Sequence, residues 1–289
     1  MTIRFRTMTA ADVAGGMALK YALGWNQTEA DWHRFLALEP DGSFVADSGG
    51  RIVGTVTTIV FDGRIGWIGM MLVDPEYRRQ GIGESLMRMA LKRLKDRQVA
   101  TVGLDATPMG QPLYERLGFV ATARLHRWSL ERDVTEIDSR SESETARADV
   151  RPSDLRAICD QDRAVFGADR SRLIQSLAHE VPGRIVMHPP TQARVHACVI
   201  VRTGAVADHL GAWMADSAAE ADAVLDAALA VAAQPRVFAD VPADHPWAGN
   251  MLSGRGFGIA RDLTRMYLGT GEVPSGPIRH CAILGPEFG

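Results

Sequence analysis

The stretch from Met71 to Leu86, MLVDPEYRRQGIGESL, constrains this 289-residue chain more than any other. An apolar strand end (Met70, Met71, Leu72, Val73) breaks at Asp74-Pro75. A basic, glycine-rich turn follows: Arg78, Arg79, Gln80, Gly81, Ile82, Gly83. A helix then begins, with Ile82, Leu86, Met89, Ala90 and Leu94 on one face. Strand, glycine turn and helix N-terminus in that order make an anion site. Gly81 and Gly83 let backbone N–H groups converge without Cβ obstruction, and the helix dipole adds positive potential. Arg78 and Arg79 either add charge suited to phosphate oxygens or form a solvated turn.

The turn is not a Walker loop, because no Gly-Lys-Ser/Thr follows, and it lacks the third glycine of a dinucleotide fingerprint. Arg78-x-x-Gly81-x-Gly83 after Val73-Asp74-Pro75 resembles the acetyl-CoA motif of the GNAT superfamily, the acyl-CoA-dependent N-acyltransferases. A second string, Pro112-Leu113-Tyr114-Glu115-Arg116-Leu117-Gly118-Phe119, is similar to that family's other signature, a short helix carrying a tyrosine and closing with Gly-Phe into a strand.

The elements around these motifs fit. Ile3–Arg6, Ser43–Ala46, Ile52–Phe61, Arg64–Val73, Ala100–Leu104 and Phe119–Leu130 read as strands. Asp62-Gly63 is a hairpin signal. Thr28-x-x-Asp31 has the form of a capping box before Trp32, Phe35 and Leu36. The resemblance covers residues 1 to about 130. It implies a mixed, largely antiparallel sheet flanked by helices.

Residues 133–149 are polar and read as a linker. Beyond them the pattern repeats weakly. Gly256-Phe257 followed by Arg265, Met266 and Leu268 matches Gly118-Phe119 followed by Arg127, Trp128 and Leu130, position for position. Val195–Arg202, Ala205–Met214 and Arg236–Val241 read as strands, and Ser217–Ala232 as an alanine-rich helix. Cys281–Leu284 is a short strand available to complete a sheet. The expected architecture is therefore α/β (α+β), with two GNAT-like domains: 1–132 with the acyl-CoA site, the linker, and 150–289 as a degenerate copy. The second copy departs from the family where the chemistry sits. Its helix follows Trp213-Met214-Ala215-Asp216-Ser217 without a glycine turn, and Leu252 stands where Tyr114 stands in the first half. The whole resembles bacterial tandem-GNAT proteins with one active half.

Composition narrows the function. A net charge of -3 gives no basic footprint for nucleic acid. Met1 to Arg6 has no apolar signal region, and Ala223–Ala233 is too short to span a bilayer, so a cytoplasmic place is the default. Cys159, Cys198 and Cys281 form neither a metal spacing nor an even disulfide set, so no metal is expected.

The resemblance implies roles. Met71, Leu72 and Val73 offer backbone to the pantetheine of acetyl-CoA. The turn from Arg78 and Arg79 through Gln80, Gly81, Ile82, Gly83 and Glu84 faces the pyrophosphate. Tyr114 is the general acid for the departing thiolate, its other reading being an aromatic packing residue. The family's asparagine seven residues earlier is replaced by Thr107, and Arg64–Met71 lacks the glutamate that often serves as base. Asp105 is the candidate base, with a strand-end cap as its other reading; His126 and second-half carboxylates stand behind it. The loop Leu23-Gly24-Trp25-Asn26-Gln27 should roof the acceptor, with Trp25, Asn26 and Gln27 contacting it, the other reading being a buried Trp with surface amides; Trp67 faces it from the sheet. The expected reaction moves an acetyl group from acetyl-CoA to the primary amine of a small molecule, by direct attack in a ternary complex. The alternative is a non-catalytic acyl-CoA-binding or regulatory module; protein-lysine acetylation stands behind both. The alanine-rich helix is a candidate domain or homodimer contact.

Overall fold

The computed structural model describes residues 2–133, 150–181, 183–189, 194–271 and 280–289. The first half runs β1 (Arg4–Thr7), α1 (Val13–Ala22), α2 (Glu29–Leu38), β2 (Ser43–Ser48), β3 (Arg51–Phe61), β4 (Ile65–Val73), α3 (Ile82–Asp96), β5 (Thr101–Ala106), α4 (Gln111–Arg116) and β6 (Val120–Glu131). Local chemistry explains the boundaries. Asp31 accepts from the Thr28 backbone N–H at 2.8 Å while Thr28 Oγ1 accepts from Asp31 N–H at 3.4 Å, the reciprocal cap of α2. Asp62 and Gly63 both take positive φ (55° and 66°), as the tight turn between β3 and β4 requires.

The second half runs α5 (Pro152–Phe166), α6 (Ser171–Glu180), β7 (Ile185–His188), β8 (Ala197–Arg202), β9 (Asp208–Leu210), β10 (Trp213–Ala215), α7 (Ala218–Val231), β11 (Arg236–Pro242), α8 (Ala248–Gly254), β12 (Gly258–Gly269) and β13 (His280–Ala282). The single strand expected over Ala205–Met214 is in fact two short ones. They are parted at Gly211, where a Cβ would stand 2.1 Å from the Ile283 carbonyl oxygen, so the C-terminal segment crosses there. The short strand near Cys281 does complete a sheet: β13 pairs with β10. Most of the expected linker lies outside the described residues.

The strand order is β1-β2-β3-β4-β5-β12-β6-β11-β9-β8-β10-β13, with β7 on β8. The two closing strands have changed places. β12, from the second half, pairs with β5; β6, from the first half, pairs with β11; and β6 and β12 pair with each other. Each exchange carries the same staple. Arg127 on β6 lies directly opposite Asp240 on β11, with guanidinium–carboxylate contacts of 2.7 and 2.6 Å. Arg265, its counterpart on β12, lies directly opposite Asp105 on β5, with two contacts of 2.8 Å. Both pairs are two-pronged and cross-strand, and Arg matches carboxylate geometry in that arrangement.

The apolar layers follow the exchange. One core collects Trp32, Phe35 and Trp67 from the first half with Phe166, Leu177, Ile200 and Phe288 from the second. Phe288 stacks on Phe35 with ring centroids 5.1 Å apart, and Trp67 Nε1 donates to the Pro286 carbonyl at 2.9 Å. The opposite face of the first half packs α3 through Ile82, Leu86, Ala90 and Leu94. The alanine-rich α7 buries Ala221, Val224, Leu225 and Ala228 within the second half's own core, so that face is internal.

Candidate active site

Two strands part to make the site. β4 pairs with β5 in parallel only over Ile65–Trp67 against Thr101–Gly103. β4 continues to Val73 and β5 to Ala106 without further pairing between them. The outer part of β4 is irregular as well: the register against β3 shifts between Thr55 and Thr57, and Met70 takes φ 48°. Thr55 Oγ1 donates to the Met70 carbonyl at 2.7 Å and holds this bulge. Backbone groups near Met71 and Leu72 are thereby freed from one neighbour and turned toward a wedge.

α3 begins at the mouth of that wedge. Gly81 precedes it at φ 78°, and Arg79 takes φ 60°. No side chain caps the helix, and a Cβ on Gly81 would meet nothing within 4 Å. Left-handed turns beside an uncapped N-terminus direct N–H groups outward to an anion. Arg78 Nε donates to the Val73 carbonyl at 3.2 Å, which ties the turn to the end of β4. Glu84 is held by Arg88 at 2.7 Å, which keeps its charge engaged. The equivalent helix of the second half is closed instead: Ser217 Oγ accepts from Glu220 N–H at 3.3 Å.

Gly83 is where the pieces meet. A Cβ there would stand 3.2 Å from Met71 Cε and 3.5 Å from Leu113 Cδ2, so α3, the bulge of β4 and α4 touch. Tyr114, next to Leu113, is 8 % exposed, with its ring edge-on to Phe119 at 6.1 Å. Burial pushes its phenol well above the ordinary tyrosine value, so it stays protonated. Leu252, its second-half counterpart, is a fully buried core residue.

On the other side of β5 lies a cleft of about 150 Å³, lined by Trp25, Gln27, Asp105 and Thr107 from the first half and by Arg127, Phe238, Arg261 and Leu263 across the exchanged strands. The structure thus brings Trp25, Gln27 and Asp105 together, as the sequence suggests, but two expected residues are spent elsewhere. Asn26 lines the cleft, yet its amide latches the second half: its Oδ1 accepts from Val206 and Ala207 N–H at 3.0 Å and its Nδ2 donates to the Ala207 carbonyl at 3.0 Å. Trp67 does not face the cleft. It is fully buried between Phe166 and Tyr267, because the C-terminal segment covers it. Asp105 has both carboxylate oxygens on Arg265. Burial raises its carboxyl while Arg265 opposes that, and the two-pronged geometry is that of a carboxylate. His126, the other option, contacts Asp262 at 2.7 Å.

The sequence offers the second half to this site only as unspecified carboxylates; which of its residues wall the cleft follows from the strand exchange, of which the Arg127–Arg265 echo is the one local trace. A larger depression of about 640 Å³ between α5 and α6 holds none of the expected site residues. In the second half, His196, Asp216 and Glu220 converge closely enough to hold a metal ion, but Arg194 already pairs with Asp216 at 2.9 Å.

Comparison with known proteins agrees with the geometry. The model of the acetyltransferase (GNAT) family matches residues 18–119, and that of an acetyltransferase (GNAT) domain matches residues 158–277. The chain is 30% identical over 131 residues to the uncharacterized N-acetyltransferase YitH of Bacillus subtilis, covering 44% of this chain and 43% of that protein. It is 30% identical over 100 residues to N-alpha-acetyltransferase 30 of Dictyostelium discoideum, covering 32% of this chain and 54% of the relative. In both cases the match spans about half the relative's length or less. Among solved structures, a putative acetyltransferase from Pyrococcus horikoshii superposes with TM-score 0.79 at 22% identity, covering 99% of this chain and 96% of that one. A tandem GNAT protein from the clavulanic acid biosynthesis pathway gives TM-score 0.59 at 16% identity, covering 94% of this chain and 99% of that one. With a GNAT domain matched in each half, the chain belongs to the GNAT acetyltransferases and is a tandem member of that family of acyltransferase enzymes.

Proposed function

We propose that the first half transfers an acetyl group from acetyl-CoA to the primary amine of a small molecule, by direct attack in a ternary complex. The observation that carries this reading is the parting of β4 from β5 beside an uncapped α3. Pantetheine fits the wedge as an added strand against Met71–Val73, and the pyrophosphate fits the turn from Arg78 to Glu84. The bulge at Met70 frees an N–H near Leu72 to polarise the thioester carbonyl. Tyr114 holds its proton for the leaving thiolate. Asp105, clamped by Arg265, orients the cleft wall in this reading, and the amine loses its proton through water. The second half keeps the fold, supplies a wall of the acceptor cleft and binds no CoA, because Ser217 and Leu252 occupy the equivalent chemical positions. In this reading the two halves are 1–132 and 150–289, with β6 and β12 exchanged between them.

The N-alpha-acetyltransferase relative favours a peptide amine as second reading. The small cleft walled by both halves favours the small molecule. Thiol release from acetyl-CoA, followed against amines, amino acids and peptides, separates them. Calorimetry should give one CoA per chain; two equivalent sites would refute the division of labour, and preferred turnover of peptides would move the reading to a protein acceptor.

A further inference from the structure

The charges around the acceptor cleft cancel in pairs, with one exception. Asp105 faces Arg265, Arg127 faces Asp240, and Glu287 faces Arg202. Arg261 also lines the cleft, and among the described residues no carboxylate pairs with it. Its Nε is buried without a hydrogen-bond partner among the described residues. A guanidinium partly removed from water and left unpaired is costly, so it calls for a ligand or function that accounts for it. Burial and the neighbouring Arg127 pull it down to about 10, which leaves it charged at neutral pH.

Two further observations point the same way. The strand is irregular just before this residue: Ile259 pairs with Trp128 and Arg261 with Arg127, so Ala260 is an extra residue in β12, as Thr122 is in β6, where Ala123 pairs with Arg265 and Ala121 with Met266. A bulge re-aims the side chain that follows it. The matching position in β6, four residues before Arg127 as Arg261 is before Arg265, is Ala123. The bulge therefore belongs to the repeated strand framework, whereas the arginine that follows it in β12 does not. Gln27, 7 % exposed, lines the same cleft with a buried Oε1 that has no partner among the described residues, a carbonyl oxygen suited to an N–H donor.

We propose that Arg261 binds an anionic oxygen group on the acceptor, which makes the acceptor an amine that also carries a carboxylate. This rests on the acetyltransferase reading above. The planar guanidinium meets a carboxylate with two N–H donors, and a cleft of about 150 Å³ suits an amino-acid-sized group. The same chemistry would accept a phosphate monoester, which the test separates.

The test uses the full chain loaded with CoA. Probes are the proteinogenic amino acids, their carboxamides, and aminoethyl phosphate. Binding is read as the shift in thermal midpoint, and turnover as thiol release from acetyl-CoA. At least one carboxylate probe should stabilise the complex while its carboxamide does not, and kcat/KM should favour the carboxylate roughly ten- to hundredfold, the worth of a charge-assisted hydrogen bond. Arg261→Gln should remove that discrimination through KM, and Arg261→Lys should keep part of it. CoA affinity should hold in both variants, which shows that they fold. A preference for aminoethyl phosphate over every carboxylate would assign the anion as phosphate and overturn the carboxylate. Absence of any shift by an anionic probe, or discrimination unchanged in Arg261→Gln, would overturn the role of Arg261. Loss of all turnover with anion binding intact would instead count against the acetyltransferase reading.

Discussion

Arg265→Met tests the strand exchange directly. The substitution removes the guanidinium from a pair in which the Asp105 side chain is 0% exposed and Arg265 is 11% exposed. Two contacts of 2.8 Å are lost, and a fully buried carboxylate is left alone in the sheet. Leaving one partner of a buried pair uncompensated costs about 3–5 kcal/mol, a large part of the roughly 5–15 kcal/mol that holds a domain folded. Adding Asp105→Leu removes the stranded charge. The double variant should return to within about 1 kcal/mol of the parent, since apolar residues often replace buried pairs without loss. A small deficit is expected because Arg265 also lies over the Trp67 ring at 4.8 Å. Equilibrium unfolding in urea, followed by circular dichroism and by tryptophan fluorescence, reads both quantities. The two probes should report one transition, because one core runs through both halves. A single variant costing less than about 1 kcal/mol, or a double variant as unstable as the single, would refute the staple. Two separate transitions in the parent would refute the shared core.

Tyr114→Phe should lower turnover roughly ten- to a thousandfold with CoA affinity unchanged; unchanged turnover in a reaction limited by chemistry would make Tyr114 a packing residue. Gly83→Asp should weaken CoA binding in calorimetry, because its Cβ would press on Met71 Cε at 3.2 Å and its charge would oppose phosphate; affinity equal to the parent's would place the phosphates elsewhere. Residues 2–133 expressed alone should aggregate, since β5 loses β12 and β6 loses β11; a soluble, fully active fragment would contradict this. Stability should also fall with acid. His209 and His280 are buried and held below the ordinary imidazole value by desolvation. In the unfolded chain they take up protons near ~6.5, so the unfolded state binds more protons below that pH, and the stability present above it is lost as pH falls. Thermal midpoints should drop between about pH 7.5 and about pH 5, and a flat profile would show that these rings carry no such linkage.

The sequence by itself determined the first half's element order and the glycine turn before α3. Those features are local. Gly81 must take positive φ, Thr28 and Asp31 cap each other within one turn, and Asp62-Gly63 closes its hairpin from adjacent residues. The Gly-Phe echo at Gly118-Phe119 and Gly256-Phe257 also fixed that a second copy exists, and both copies show the same backbone bond, from Phe119 N–H to the Tyr114 carbonyl and from Phe257 N–H to the Leu252 carbonyl. What the sequence could not decide was which strand each copy closes with. β6 and β12 have the same pattern, so either could pair with β5 or β11 without any local penalty. Only the tertiary structure settled that choice, through the paired Asp105–Arg265 and Asp240–Arg127 contacts and the core common to both halves. The cleft beside β5 inherits this: Arg261 and Phe238 are distant in sequence from Trp25 and Gln27, and meet them only because the closing strands have changed places. The contacts that Trp67 and Asn26 make have the same origin. Their partners, Pro286 and Ala207, lie in the other half, and no local pattern names a partner at that distance.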